Sequence, residues 1–370
     1  MTVTLYDVAY WLSSHLVALA TGTSASNLPG GPWTTAAVAL AWLVTGIIVF
    51  AASLVNTLIL IWWERKLLGR FMDRRGAMHV GFAGLLQNLA DGLKLFRKQV
   101  FSPREADQFG YYLAPTAYMV TSIILLGFLP VSTGFVGGSV PLSLLLALAI
   151  FSFAPLFIFV GSWSSNNKYS LIGGMRTAAQ LVAYEIPLLL AVVSVVLLTG
   201  SFDLTTIVMD QARYGWFWLP LILGLVVFSV AMLAEMERIP FDLPEAEAEL
   251  VEGWSTEYGG MLFAMTMLGD YVRGLVGSYL IVLLFLGGWT LPGPLAPLAA
   301  FPLGGIVWFQ IKTYLVFGVF IWVRAALPRV RTDQLLQVGW KRMLPLSLAN
   351  IVIAAALVVW GWPHLTWPAL

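Results

Sequence analysis

Residues 36–66 read AAVALAWLVTGIIVFAASLVNTLILIWWERK, with no charge until Glu64, Arg65 and Lys66 close the run. Coiled as an α-helix at about 1.5 Å per residue, the uncharged stretch is longer than the ~30 Å hydrocarbon core of a bilayer. The remainder of the 370 residues follows suit. Apolar and aromatic residues make up 59% and charged ones only 11%, with a mean hydropathy of +0.85. That balance excludes a soluble globular protein and places the chain among all-α integral membrane proteins.

A window of about 20 apolar residues finds eight candidate transmembrane helices. They cover 36–62, 111–133, 141–163, 178–200, 216–236, 259–287, 305–325 and 344–362. The first 34 residues hold no Lys or Arg and so lack the basic start of a signal peptide. They are expected to form a loosely amphipathic leader and not a ninth span. With no internal repeat or linker in view, residues 1–370 read as a single membrane domain. Of the 20 Lys and Arg, 17 fall in odd-numbered connections, with Arg324 at the end of its span counted in the seventh, one (Arg213) on the other side, and two (Arg273, Lys312) well inside spans. By the positive-inside rule the odd loops face the cytoplasm and both termini the far side.

A net charge of +1 gives no field to attract nucleic acid. The absence of Cys excludes thiolate-held iron–sulfur clusters and thiol nucleophiles, and three scattered His (His15, His79, His364) do not suggest a metal site. Any electron chemistry must sit on a partner or a bound organic molecule.

Two further elements stand out. Apolar residues at 82, 85, 86, 89, 93, 96 and 100 follow a three-four spacing, which predicts a cytoplasmic-side amphipathic surface helix over 82–100. Residues 237–258 form an acidic loop with seven carboxylates against Arg238 alone. Asp242 followed by Glu245 resembles a capping box, which predicts a short helix from Leu243 with Glu245, Glu249 and Glu252 on one face.

Charges inside the spans are costly, about 2.5–3.5 kcal/mol each at a helix centre, so they mark function or pairing. Glu185 lies in the fourth span beside Pro187, Asp270 falls near the middle of the sixth, and Glu235 closes the fifth. Together with the loop they suggest a carboxylate-lined proton path. Plainer readings stand beside it. The loop is equally a solvated face, Asp270 and Arg273 are spaced to neutralise each other, and Lys312 is placed to snorkel to the far interface. Asp91 and Lys94 fit the wet side of a surface helix. Trp62 and Trp63 fit an interfacial belt.

The run Glu235-Met236-Glu237-Arg238-Ile239-Pro240-Phe241-Asp242-Leu243-Pro244-Glu245-Ala246-Glu247-Ala248-Glu249-Leu250-Val251 resembles the signature of the H subunit (subunit 1) family of respiratory complex I. Four more segments agree in order: Glu64-Arg65-Lys66; Gly84-Leu85-Leu86-Gln87 with Ala90-Asp91-Gly92-Leu93-Lys94; Ser165-Asn166-Asn167-Lys168 with Tyr184-Glu185-Ile186-Pro187; and Pro328-Arg329-Val330-Arg331-Thr332-Asp333-Gln334-Leu335. The resemblance implies a membrane subunit without flavin, iron–sulfur or covalently held cofactor. It implies that quinone is substrate, in a chamber built with an iron–sulfur peripheral arm, and that an acidic funnel leads to neighbouring proton-pumping membrane subunits. On that resemblance the funnel residues are Glu185, Glu235, Glu245, Glu247, Glu249 and Glu257, with Asp270 where many members carry Glu. The quinone-chamber residues are Glu64, Arg65, Asp91, Lys94, Arg238, Phe241 and Asp242.

The chain also departs from the family pattern. Gly76-Ala77-Met78-His79-Val80-Gly81-Phe82 stands where members commonly have two Pro and an Arg, and Ser152 stands where some have Glu. Ser152 and the Glu237-Arg238 pair resemble the cyanobacterial and plastid branch, whose donor is ferredoxin. Two competitors share the intramembrane carboxylates. An ion-coupled transporter would be expected to show pseudo-symmetric halves, which are absent here. The membrane anchor of a related hydrogenase is less well matched by the full Pro-Phe-Asp-Leu-Pro-Glu-Ala-Glu run.

Overall fold

The computed structural model describes residues 5–21, 32–132, 140–243, 247–291 and 304–361. Its helices are α1 (Leu5–Thr21), α2 (Pro32–Phe71), α3 (Gln87–Arg97), α4 (Gln108–Phe128), α5 (Ser143–Phe151), α6 (Ala154–Ser164) and α7 (Lys168–Thr199). There follow α8 (Leu204–Tyr214), α9 (Ile222–Glu235), α10 (Glu247–Leu250), α11 (Gly260–Phe285), α12 (Gly304–Ala326), α13 (Thr332–Gln337) and α14 (Leu344–Val359). The last two are joined by a π-helical turn, Val338–Met343.

Seven helices among the described residues are long and apolar enough to cross a membrane. They are α2, α4, the α5–α6 pair, α7, α11, α12 and the α13–α14 rod. The remaining expected span, 216–236, is met only in part. Gly215, with φ of 98°, and Pro220 delay the helix, so α9 has 14 residues and a length of about 21 Å. Turn residues precede it, anchored where the Trp218 N–H donates to the Phe285 carbonyl at 3.0 Å. The leader folds as helix α1 and lies on α2, with the Ser13 hydroxyl donating to the Ala37 carbonyl at 2.9 Å.

Helix α11 is the centre of the bundle, buried throughout residues 271–285. Small residues make this possible. A Cβ on Gly269 would lie 2.6 Å from the Tyr118 ring, and one on Gly277 would lie 2.6 Å from Met232. Close approach of this kind compensates for the weak hydrophobic drive between helices in lipid.

The turn that follows the far end of α11 has carbonyls that the helix itself cannot satisfy. Lys312 of α12 donates to three of them, Leu286 (2.8 Å), Gly288 (2.9 Å) and Thr290 (2.6 Å), with its ammonium 4.3 Å from the Trp216 ring centre. Gln211 of α8 adds a bond to the Leu283 carbonyl and accepts from the Gly287 N–H. Lys312 therefore does not snorkel outward; it caps its neighbour.

The surface helix is shorter than the expected 82–100. A 3-10 turn at Phe82–Gly84 contains Ala83 with φ of 52°, and regular helix begins only at Gln87. Its apolar residues Leu85, Leu86, Leu89, Leu93 and Phe96 point away from the rest of the chain, while Asn88 is buried and donates to the Leu58 carbonyl at 2.8 Å. A polar strip facing protein and an apolar strip facing outward suit a helix lying at a lipid interface.

The expected helix from Leu243 does not form there. Asp242 and Leu243 lie outside any helix, Glu245 lies outside the described residues, and α10 is one turn that Val251 ends with φ of 65°. Glu249 and Glu252 consequently share no helical face. Replacing Lys312 with Met is expected to lower the unfolding temperature of the purified protein in detergent, at a cost of about 2–3 kcal/mol for a lost charged donor over buried carbonyls. An unfolding temperature equal to that of the unaltered protein would show that the cap carries no stability.

Candidate functional site

The end of the bundle that carries the acidic loop is held together by a buried acid. Glu64, 3% exposed, closes the apolar run of α2 and accepts from Arg324 at the end of α12 and from Arg238 of the loop, the latter at 3.5 Å. Arg238 also stacks over the Tyr271 ring at 4.4 Å. One carboxylate thus ties α2, α12, the loop and α11. Its second oxygen, Oε2, is buried and receives no hydrogen bond from the chain.

Asp242 lies close by and pairs with Arg329 at 2.8 Å. Burial pushes its carboxyl above the ordinary range, against the pull of Arg329, Arg324 and Arg238. Its Oδ1, like Glu64 Oε2, accepts nothing from the chain. The Val330 N–H donates to the Pro240 carbonyl at 3.1 Å, so the segment after α12 is stitched to the loop by backbone as well as by charge.

Arg65, next after Glu64, pairs on α3 with Asp91 at 2.7 Å. Gln87 donates to the other Asp91 oxygen at 3.1 Å. Partial burial pushes Asp91 up, but Arg65, Gln87 and Lys94 outweigh it and hold the carboxyl below its ordinary range. Consecutive residues of α2 therefore anchor the buried cluster and the surface helix. Phe241 is 6% exposed and packs on Tyr184 at 5.3 Å between ring centres, beneath the surface rather than on it.

Below the loop is a cavity of about 110 Å³ lined by Glu237, Arg238, Glu252, Ser255, Thr266 and Asp270, among others. That volume is large enough for several waters, and its lining offers polar partners to them. It joins the acidic loop to Asp270, whose Oδ1 accepts from the Tyr118 hydroxyl at 2.6 Å. The sequence spacing of Asp270 and Arg273 suggested a pair; in the fold Arg273 turns to Glu235 instead, at 3.4 Å, and both side chains are 4% exposed. Glu185 is half-buried on α7 and accepts a hydrogen bond from Ser152 at the α5–α6 break. The residue that stands where some family members have Glu thus binds the Glu185 carboxylate. Helix α7 runs unbroken through Pro187, and the Ala183 carbonyl that Pro187 leaves without its helical donor faces Gly339 of the π turn.

Not all the expected acids gather. Glu249 is exposed and pairs with Arg176 at 2.7 Å, and Glu257 accepts from Asn167 at 2.5 Å; neither lines the cavity. Glu247 opens α10, and Lys94 is exposed. Glu237, which the loop's charge count included without distinction, and Glu252, expected on one helical face with Glu245 and Glu249, lie at the cavity wall. Sequence reasoning also passed over Gln180, buried in α7, whose amide donates to the carbonyls of Ala234 (2.7 Å) and Phe241 (3.0 Å) and so holds both ends of the turn after α9. Its signal was an amide inside an apolar span.

Fold and site together define a multi-pass membrane protein that keeps buried carboxylates close to a charged loop. The model of the family described as NADH dehydrogenase matches residues 44–355, and the chain belongs to that family. It is 45% identical over 309 residues to the H subunit of the NADH-quinone oxidoreductase of Dehalococcoides mccartyi strain CBDB1, covering 84% of each chain. It is 45% identical over 298 residues to the H subunit of the Geobacillus kaustophilus enzyme, covering 80% of this chain and 88% of the relative. The NADH-ubiquinone oxidoreductase chain 1 of Arabidopsis thaliana is 43% identical over 311 residues, covering 84% of this chain and 94% of the relative.

The two neighbouring ion pairs should differ sharply in weight. Glu64→Ala strands two arginines at a buried site and is expected to cost about 3–5 kcal/mol, whereas Arg65→Ala breaks a half-exposed pair and should cost less than about 1 kcal/mol. Thermal unfolding followed by tryptophan fluorescence separates them. Equal shifts would show that Glu64 is not the anchor.

Proposed function

We propose that this chain is the membrane subunit of a complex I-like, proton-pumping quinone oxidoreductase. It forms the quinone-reduction chamber with an iron–sulfur peripheral arm and carries the acidic path that links reduction to proton movement. The observation that carries the reading is the cavity running from the loop acids Glu237 and Glu252 to Asp270. Relatives named for NADH-quinone oxidoreductase support a quinone acceptor and NADH as the donor.

Reducing a quinone takes two electrons and two protons. The electrons come from the peripheral arm, since this chain has no Cys to hold a cluster. The chamber wall is Glu64, Arg65, Asp91, Arg238 and Asp242, with Lys94 at its rim and Phe241 as the packed floor. The unfilled acceptors Glu64 Oε2 and Asp242 Oδ1 are where a quinol hydroxyl or an ordered water finds its partner.

Charge change at the chamber reaches the cavity through Arg238, which touches Glu64 on one side and lines the cavity on the other. Protons then move along Asp270, Glu235 and Glu185, each held by a neighbour that can exchange hydrogen bonds. The acidic loop faces the cytoplasm on the charge asymmetry of the connections, and Glu185, half-buried at the bundle's flank, is the hand-over point to neighbouring membrane subunits.

Tagging the chain and extracting it in mild detergent tests assembly: iron–sulfur proteins and several large membrane subunits are expected to travel with it. A solitary particle would defeat the reading. Within the assembled complex, Glu185→Gln is expected to cut coupled quinone reduction about tenfold or more while composition stays intact. Full turnover and pumping in that variant would place the intramembrane path elsewhere.

A further inference from the structure

Arg273 is buried to 3% exposure in the central helix, and neither the resemblance nor the charge spacing gave it a role beyond neutralising Asp270. Its surroundings are more specific than that. One guanidinium nitrogen donates to the Phe151 carbonyl at 3.0 Å and another to Glu235 Oε2 at 3.4 Å. The guanidinium carbon lies 3.9 Å from the Phe151 ring centre and 5.7 Å from that of Tyr118.

The carbonyl is available for a reason visible in the sequence. Its helical donor would be residue 155, which is Pro and has no N–H, so α5 stops at Phe151 and α6 starts afresh at Ala154. A freed carbonyl oxygen, a carboxylate oxygen and two aromatic faces therefore converge on one point inside the membrane. These are the donors that a desolvated monovalent cation takes. Ser152, the next residue along the break, binds Glu185, and Tyr118 binds Asp270. The point consequently lies between the inner and outer carboxylates of the path.

We propose that Arg273 is the ion-selectivity element of this path: its guanidinium permanently fills the place between Asp270 and Glu185 where an alkali cation would be ligated, so that protons alone pass. A guanidinium does not deprotonate in a protein, so the place is never vacated. A proton needs only exchange of hydrogen bonds among carboxylates and hydroxyls. Sodium needs several oxygens at once, and here two are engaged by a fixed positive charge that also repels it. The charged or titratable groups around this point are Glu235 of α9, Asp270 of α11, Tyr118 of α4 and Glu185 of α7, with Glu237 and Arg238 of the loop acting from the cavity side.

The inference rests on the proposed proton path, and the test separates the two. The assembled complex is reconstituted in liposomes, and coupled quinone reduction, internal pH change and ²²Na⁺ uptake are measured in sodium or choline medium. The unaltered complex and Arg273→Lys are expected to be indifferent to sodium. Arg273→Gln is expected to become sodium-dependent, its turnover rising about tenfold when sodium replaces choline, as an ion takes the vacated place beside Glu235. Arg273→Gln/Glu235→Gln, which lacks the carboxylate, should lose that dependence.

Arg273→Gln that ignores sodium, or an unaltered complex whose coupling already needs it, overturns the proposal. If Arg273→Gln is recovered intact only from sodium medium, that supports the proposal, and failure in both media counts against it. Glu235→Gln alone decides the underlying reading. Full coupling there would defeat the path itself, whereas lost coupling together with sodium indifference of Arg273→Gln would defeat only the selectivity.

Discussion

Every ionised group in this bundle must find its counter-charge or donors within the protein, because the bilayer supplies neither water nor ions. The structure meets that constraint in three ways. Glu64 takes two arginines, Glu235 takes one, and Asp270 and Glu185 take hydroxyls instead of cations. The difference has a structural consequence. A carboxylate bonded to two guanidinium groups joins several elements at once, whereas one bonded to a single tyrosine or serine hydroxyl joins only two. The acids that the proposed path uses at Asp270 and Glu185 are of the second kind.

The same constraint acts on the backbone. A proline inside a span leaves a carbonyl without its donor, and a helix end leaves several. One gap of each kind is filled here by a cation from another helix: Arg273 on the Phe151 carbonyl, Lys312 on the carbonyls beyond α11. Each contact fixes the position of one helix on another, so residues that look like isolated intramembrane charges serve as joints. Helix α11 takes part at both places, which is why it can be the most buried helix and also the one that carries Asp270.

How much of this was legible in the sequence follows from the range of the forces involved. Hydropathy is local, so the long spans and the surface helix could be read directly, and α9 fell short only because Gly215 and Pro220 delay its start. Motif resemblance supplied the family, and with it the two sets of residues taken up in the proposed function. What a one-dimensional reading could not supply was direction. Asp270 and Arg273 sit three apart on one helix, the spacing of a pair, yet Pro155, more than a hundred residues away in sequence, offers the guanidinium a better partner. Glu249 and Glu257 belong to the same acidic run as Glu252, but Arg176 and Asn167 draw them off, and a left-handed Val251 ends the turn that would have aligned them.

Arg238 stands where these two levels meet. It pairs with the anchoring acid Glu64, stacks on Tyr271 of the central helix, and lines the cavity that leads to Asp270. In the proposed function, a negative charge added on the chamber side competes for Arg238 with the acids of the cavity, since one guanidinium reaches both. Arg324 also binds Glu64, so the pair that joins α2 to α12 remains while Arg238 divides between its partners. One shared arginine thus connects the residues that the proposal assigns to quinone with those it assigns to protons.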